Sequence, residues 1–290
     1  MLSKSRFLAG LQCKLRPWYQ GCARELTPVV PLFQQAIFDA GHEGGELATH
    51  LYPGGVLIDA PYYQHKQAIQ STLKAMQDPE VKAIYEAAFA YDDVRIRVDI
   101  LERIEDGSWN LVEVKSSTSV KEVYYPDVAI QYYVLEGCGL QINRAGILHI
   151  NNQYVYDGRN LNLPSLFSFA DLTDATIAMQ PEIPSRLEAL KAMLANSDAP
   201  EIMPSRHCHK PYDCEFWDHC TKDMPEFWVY HINGIGQNKL DDLAEMGVRD
   251  IGDIPETFPM SQIQDRIRTC VTRQQEYMSN QLDAQLRDME

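Results

Sequence analysis

The chain has 290 residues, 45% of them hydrophobic and 10% aromatic, which is typical of a folded globular protein. It carries 26 Lys and Arg against 41 Asp and Glu, and this net charge of −15 argues against a protein that coats nucleic acid nonspecifically. No apolar run approaches the roughly 20 residues that cross a bilayer, and the first residues lack the apolar stretch of a signal peptide. We therefore expect no membrane partner and a cytoplasmic location.

The amino-terminal third is predicted to be mainly helical. A short helix over residues 3–11 is capped by Ser3 and ends at the segment around Pro17. Apolar residues at helical spacing predict a second helix over 31–51, and a short strand over 56–58 and a helix over 63–76 follow. Five basic residues cluster near the start of the chain, either as a local basic groove or as a solvated helix face: Lys4, Arg6, Lys14, Arg16 and Arg24.

Two strands joined by a tight turn are predicted next. Val94, Ile96 and Val98 alternate with polar residues, and Asp106-Gly107 supplies the chemistry of a hairpin turn. The second strand covers residues 110–116. Glu86 is expected to precede the first strand.

A polar set interrupts these otherwise apolar strands. Glu113 and Lys115 are two residues apart, so they point to the same face of their strand, and Asp99 lies on the neighbouring strand. Buried charges are costly unless they pair or hold a metal ion. Two carboxylates on adjacent strands can bind a hard divalent ion, and a nearby lysine can orient an attacking water.

The segment after this hairpin continues the α/β pattern. An amphipathic helix is predicted over 120–136 and carries Gln131, and a buried strand follows over 145–150. Residues 154–156 are predicted to be the hairpin partner of that strand, while 166–171 is expected to be irregular. A helix over 184–195 leads towards a group of cysteines.

The seven cysteines do not suggest a disulfide framework in a chain without an export sequence. Cys22, Cys138 and Cys270 stand alone and are most simply small side chains that are buried or half-buried. The spacing C-x5-C-x5-C in a turn-rich stretch indicates a shared metal centre at Cys208, Cys214 and Cys220. Zinc, with a nitrogen ligand from His207, His209 or His219, and an iron–sulfur cluster both remain open.

A change of composition after residue 223 predicts a separate helical region over 224–290. Gly234 and Gly236 open a helix that carries Lys239, and this resembles a helix-hairpin-helix, whose glycine turn offers backbone N–H groups to a phosphate. A plain structural hairpin explains the same residues. One long polar helix is predicted over 260–289, which would need a downstream domain or a protein partner to cover its few apolar residues.

Asp99 together with Glu113-Val114-Lys115 resembles the core of the PD-(D/E)xK nucleases. With one cysteine before this core, Cys13, and three after it, the chain is similar to the RecB-type and CRISPR-associated nucleases that carry an iron–sulfur cluster. It most resembles a bacterial family that pairs this module with an RNase H-like module. The resemblance implies an α/β, restriction-endonuclease-like mixed sheet flanked by helices over residues 1–223.

The resemblance also implies a metal-dependent nuclease, expected to act as an exonuclease on DNA ends or single strands. Asp99, Glu113 and the carbonyl of Val114 would hold Mg²⁺ or Mn²⁺, with Glu46 or, as an alternative, His42 from the early helix. Lys115 and Gln131 would complete the catalytic set, and a [4Fe–4S] cluster would be held by Cys13, Cys208, Cys214 and Cys220. A catalytically inactive nucleic-acid-binding or scaffolding module of the same fold is the alternative, and a zinc-ribbon interaction protein is a third interpretation.

Overall fold

The computed structural model describes residues 1–279 and Leu282. It divides into two compact units, Met1–Glu201 and Ile202–Glu290. The predicted boundary after residue 223 therefore falls inside the second unit. The segment before it already bonds within that unit, since the Ser205 hydroxyl donates to Gln237 at 2.9 Å and the Arg206 guanidinium donates to the Ile235 carbonyl at 2.8 Å.

The first unit is built on a seven-stranded mixed sheet. Its strands are β1 (Leu2–Ser3), β2 (Gly55–Leu57), β3 (Ala83–Tyr91), β4 (Val94–Arg103), β5 (Trp109–Lys115), β6 (Ile142–Ile150) and β7 (Phe167–Asp171). The spatial order is β2-β3-β4-β5-β6-β7, and β1 pairs with β4. The β3-β4, β4-β5 and β6-β7 pairs are antiparallel, whereas β1-β4, β2-β3 and β5-β6 are parallel.

Helices accompany this sheet: α1 (Lys4–Gln12), α2 (Leu15–Cys22), α3 (Leu32–Thr49), α4 (His65–Gln77), α5 (Tyr125–Gly137), α6 (Leu163–Leu166), α7 (Thr173–Met179) and α8 (Ile183–Ala195). The Ser3 hydroxyl caps α1, as predicted. The prediction that Pro17 marks an end of helix is wrong, because Pro17 lies in the first turn of α2. Proline is tolerated there, since the first helical N–H groups have no partner inside the helix.

Apolar side chains pack on both faces of the central strands. Neighbouring residues of a strand point to opposite faces. Accordingly, Leu101 and Leu111 belong to one buried cluster that also contains residues of α1, α5 and α8, whereas Ile100 and Val112 belong to a second cluster with Ala48 of α3. The centre of the sheet is therefore covered on both sides.

The predicted hairpin is confirmed. Strands β4 and β5 pair antiparallel, and Gly107 has a φ of 88°, in the left-handed region that glycine adopts without strain. Asp106 stabilises the turn, because its carboxylate accepts bonds from the backbone N–H and the hydroxyl of Ser108 at 2.8 and 2.6 Å.

Two strands differ from the prediction. The hairpin partner of β6 is β7, not residues 154–156, where Val155 is 84% and Tyr156 54% exposed. Glu86 precedes β4, the first strand of the hairpin, as predicted, but it lies within an additional strand, β3, that begins at Ala83. Four of its nine residues are alanine, which has a low preference for strands and which hides the pattern.

The second unit contains α9 (Trp217–Thr221), α10 (Gln237–Glu245) and α11 (Gln262–Arg273) around its own apolar core. The prediction of one helix over 260–289 is wrong, because α11 ends at Arg273. Gln274 is left-handed, with a φ of 50°, and its N–H bonds back to the carbonyl of Val271. Residues 280, 281 and 283–289 of that prediction lie outside the described residues.

Candidate functional site

The site is organised by two carboxylates on neighbouring strands. The β4-β5 register pairs Ile100 with Val112, and its continuation by one residue places Asp99 opposite Glu113. Residues directly opposite in an antiparallel pair share one face of the sheet. The backbone N–H of Val114 donates to Asp99 Oδ2 at 2.7 Å, which fixes the Asp99 side chain against β5.

Lys115 lies on the same face and bridges two acids. Its ammonium is 2.7 Å from Glu113 Oε1 and 2.7 Å from Asp127 Oδ2. It also lies 5.5 Å from the ring centroid of Tyr124. A lysine held by three groups in this way has a defined position, so it can act on a ligand bound to Glu113 without first being ordered.

Helix α5 contributes the next layer, since Asp127 and Gln131 are one turn apart and share a helix face. Gln131 Nε2 donates to Glu113 Oε2 at 2.7 Å and to Asp127 Oδ1 at 3.2 Å. Gln131 is fully buried, and its Oε1 has no hydrogen-bond partner among the described residues. A buried amide oxygen in this state is an acceptor available to a ligand.

Lys4 is the residue that sequence reasoning missed. Its ammonium is 3.0 Å from Glu113 Oε2 and 3.1 Å from Asp127 Oδ1, although it lies 109 positions from Glu113. Strand β1 pairs with β4, and the Ser3 cap then starts α1 with Lys4 as its first residue. Its place in the basic amino-terminal cluster gave no indication of this contact.

The charges of the site are set by one another. Burial and the neighbouring charge of Glu113 raise the pKa of Asp99 to about 8, against the opposing effects of Lys4 and the Val114 N–H. Burial alone would raise the pKa of Glu113, but Lys115 and Lys4 hold it below its ordinary value. Near neutral pH, Glu113 is therefore ionised, and Asp99 largely retains its proton.

The two lysines stay charged because the neighbouring carboxylates favour their protonated forms. Burial opposes the charged form of each, but the carboxylates of Glu113 and Asp127 raise the pKa of both Lys4 and Lys115. Each of the two ammoniums thus contacts both Glu113 and Asp127 in a largely buried network.

Glu86 is a further carboxylic acid that lies near Asp99 in the structure. The β3-β4 register places it opposite Asp99, and its φ of 55° is a left-handed conformation that is uncommon for glutamate. Burial raises the pKa of Glu86, Arg97 and Lys4 oppose that rise, and Glu113 and His42 also act on it.

Glu46 is not brought into the network. Its side chain is exposed on α3, and in the part of the chain that the structure describes no hydrogen bond or ion pair joins it to Asp99 or Glu113. Gly44 of the same helix does approach the end of β5, where an added Cβ would lie 2.5 Å from Ser116 Oγ. Of the predicted metal ligands, Asp99, Glu113 and Val114 thus lie together, and Glu46 stands apart.

The donor atoms at Asp99 and Glu113 fit a hard divalent ion. Within residues 1–279 and 282, no cluster of three or more His, Cys, Asp or Glu side chains is arranged to hold a metal. Mg²⁺ commonly takes only one or two carboxylates and completes its shell with water and phosphate oxygens. Two carboxylates and the carbonyl of Val114 are compatible with that mode of binding.

The predicted cluster cysteines fall in both units. Cys13 is buried at the carboxyl end of α1 in the first unit. In the second unit, Cys208 and Cys214 are buried, Cys220 is half-buried, and the N–H of Cys214 donates to the Cys208 carbonyl at 2.8 Å. The iron–sulfur cluster stays a prediction of the sequence.

The predicted phosphate contact lies at the start of α10. Gly236 is the N-cap, and Gly234 has a φ of 69°. The ammonium of Lys239 donates to Gln264 Oε1 at 2.9 Å, so it is already engaged within the second unit. A contact with nucleic acid at Gly234, Gly236 and Lys239 stays a prediction.

No helix within the described residues combines the length and apolar character needed to cross a membrane.

No protein-family model matches this sequence, and no curated protein matches it. Among solved structures, the crystal structure of SSO0001 aligns with 77% of this chain and 87% of that chain, at 14% sequence identity and a TM-score of 0.33. A similarity at that level supports no conclusion about fold family or activity. What the structure itself establishes is a mixed α/β unit with a buried network of carboxylates and lysines on its central strands.

Proposed function

We propose that this chain is a metal-dependent nuclease with a PD-(D/E)xK, restriction-endonuclease-like core, acting in the cytoplasm on DNA ends or single strands. The observation that carries the proposal is the cross-strand pair of Asp99 and Glu113 with Lys115 on the same face. A pair of carboxylates beside a fixed ammonium is the arrangement that metal-assisted phosphodiester hydrolysis requires.

Each residue has a separate task in this proposal. Asp99, Glu113 and the Val114 carbonyl would hold Mg²⁺ or Mn²⁺, which would supply a Lewis acid for the phosphodiester and a more acidic water. Lys115 orients the nucleophile and stabilises the negative charge that develops on the phosphate. Gln131 holds Glu113 Oε2 in place, and Asp127 keeps Lys115 charged and oriented.

The test is cleavage of end-labelled single-stranded and duplex DNA in Mg²⁺ or Mn²⁺. Glu113→Gln and Lys115→Met should each lower the rate on the order of 10²-fold or more, because each removes charge at the reacting phosphate. Glu102→Gln is the matched control, since Glu102 also lies on the β4-β5 pair but bonds Asn110 at 2.8 Å. Full activity of Glu113→Gln would contradict the assignment.

A catalytically inactive nucleic-acid-binding module of the same fold is the second candidate. It is favoured by one observation, namely that Lys4, Lys115 and Gln131 already hold both oxygens of Glu113. If wild-type protein binds DNA but does not cut it in either metal, this second function replaces the first.

The [4Fe–4S] cluster on Cys13, Cys208, Cys214 and Cys220 is part of the proposal because the resemblance to the iron–sulfur nucleases implies it. Iron and sulfide analysis after anaerobic purification tests it. Replacement of Cys208 or Cys214 by serine should lower the iron content, whereas Cys22→Ser, at an exposed cysteine, should not. Stoichiometric zinc in place of iron would overturn it.

A further inference from the structure

A row of arginines runs along β4 towards the carboxylate pair. Arg95 and Arg97 alternate with the buried residues of the strand and share a face with Asp99. With a rise of about 3.4 Å per residue, the backbone of Arg97 lies about 7 Å from that of Asp99 and that of Arg95 about 14 Å away. The two guanidiniums therefore extend from the site along the sheet.

Two further arginines join this row. The β1-β4 register pairs Ser3 with Arg95, so α1 starts beside Arg95 and carries Arg6 in its first turn. The pKa of Arg6 is lowered first by burial and then by the like charges of Arg24 and Arg95. We name the set of Arg6, Arg24, Arg95 and Arg97 the arginine row.

No member of the arginine row forms an ion pair with a carboxylate within the described residues. Arg97 donates to the Ala60 carbonyl at 2.6 Å and Arg6 to the Gln20 carbonyl at 2.6 Å. The Nε atoms of Arg95 and Arg97 are buried without a hydrogen-bond partner. Like charges gathered without a direct ion pair repel one another, so such a row in a chain of net charge −15 indicates an anionic ligand.

Exposed aromatic rings flank the row. The guanidinium carbon of Arg95 lies 5.4 Å from the ring centroid of Tyr62, which is 61% exposed, and the adjacent Tyr63 is 82% exposed. Accessible rings beside a positive groove are the usual means of binding single strands, because unpaired bases stack on the rings while phosphates contact the cations. A duplex keeps its bases stacked internally and offers no such contact.

We propose that the arginine row and Tyr62 bind the backbone and an unstacked base of a single-stranded nucleic acid and direct that strand to Asp99 and Glu113. This inference deepens the proposed function and rests on it for the cleavage step only. Binding itself is independent of the metal.

The test measures fluorescence anisotropy of a labelled single-stranded oligonucleotide in EDTA, where no cleavage occurs, over a series of salt concentrations. Arg24→Gln and Arg95→Gln are the informative variants because neither side chain holds a backbone carbonyl in the structure. Each should weaken binding and lower the slope of log K against log salt by about 0.7. Tyr62→Leu should weaken binding several-fold with the slope unchanged.

Arg144→Gln and Arg186→Gln are the matched controls, since these arginines are paired with Asp171 and Glu182. Unchanged slopes for both Arg24→Gln and Arg95→Gln, or duplex binding as tight as single-strand binding, would overturn the inference. Its failure is distinguishable from that of the nuclease. Normal cleavage with unaltered salt slopes removes only the arginine row, whereas row-dependent binding without cleavage removes only the enzyme.

Discussion

Glu113 accepts hydrogen bonds from three side chains, and these occupy both of its carboxylate oxygens. Lys4, Lys115 and Gln131 all contact it, and Asp127 balances the second positive charge. In a buried network of this kind, the removal of one ion costs more than the pair contributes, because it leaves the opposite charge uncompensated. The stability of the metal-free protein should therefore depend strongly on individual residues of the site.

Lys4→Met tests this dependence. We expect the free energy of unfolding in EDTA to fall by about 1–3 kcal/mol, because two carboxylates then share one ammonium. Lys191→Met is the control, since Lys191 pairs with Asp92 at a more exposed position and should contribute about 0–1 kcal/mol. Urea unfolding measures both, and equal losses for the two variants would contradict the expected role of Lys4.

Asp99 should make the folded protein less stable as the pH rises. Its folded pKa of about 8 lies above the unfolded value, so the native state binds the extra proton between about pH 4 and 8. Stability is then greatest at the acid end of that window and falls as the pH approaches 8. Glu113 does not cancel this trend above about pH 5, because its lowered pKa leaves it ionised there in both states.

Asp99→Asn removes the titratable carboxyl group of residue 99. It keeps a side-chain oxygen that can accept the hydrogen bond from the Val114 backbone N–H. We expect wild-type protein in EDTA to lose about 1–3 kcal/mol of stability between pH 5.5 and 8 and the variant to lose markedly less. Urea unfolding at the two pH values is the measurement. Parallel losses in both proteins would show that Asp99 does not carry the buried proton.

At the level of elements, a strand is predictable from the sequence where apolar and polar side chains alternate, and it is not predictable where this alternation is missing. The alternation in β4 and the Asp106-Gly107 turn are enough to predict that Asp99 and Glu113 lie on neighbouring strands. Strand β3 is not predicted, because its alanines do not form an alternating pattern of apolar and polar residues. Glu86, which lies within β3, is consequently not recognisable from the sequence as a member of the site.

Helix α3 passes close to the site and contains three glycines with different surroundings. An added Cβ at Gly41 or Gly45 would meet nothing within 4 Å, whereas at Gly44 it would lie 2.5 Å from Ser116 Oγ. Alanine lowers the entropy of the unfolded chain and suits a helix, so Gly41→Ala and Gly45→Ala should each stabilise the protein by about 0.5–1 kcal/mol.

Gly44→Ala should gain less, because the Ser116 hydroxyl must move and gives up its 3.3 Å bond to the Ala40 carbonyl. Adding Ser116→Ala should recover the gain, since the close contact is with that hydroxyl alone. Thermal unfolding of the four variants tests the series. A Gly44→Ala protein as stable as Gly45→Ala would show that α3 does not approach β5 this closely.

At the level of the whole chain, the sequence supplies the residues that lie on the strands but not those that tertiary packing adds. Lys115 and Asp99 follow from local pattern, and Gln131 from its helix. Lys4 reaches Glu113 only because β1 joins the sheet beside β4, a pairing of two residues that no sequence pattern marks. In the same way, no sequence pattern marks the contacts of Ser205 and Arg206 with Gln237 and Ile235, which join residues before the predicted boundary to the second unit.

This division predicts how truncated chains behave. Every ion pair of the site lies within Met1–Glu201, so a chain ending at residue 201 should fold cooperatively and keep the pH dependence assigned to Asp99. A chain ending at residue 223 should self-associate, because it retains Trp217 without Trp228 and Tyr230. In the full chain the ring centroids of these two residues lie 5.8 and 5.4 Å from that of Trp217. An apolar ring left without its partners promotes association.

Size-exclusion chromatography and urea unfolding of the two truncated chains decide between these expectations. The shorter chain should be monodisperse with one sharp transition, and the longer one should associate at equal concentration. Trp217→Ser in the longer chain is the control that should restore its behaviour, because it removes the exposed ring. If the chain ending at residue 223 is instead the more stable and monodisperse of the two, the segment 202–223 belongs to the first unit, and the boundary predicted from composition is the correct one.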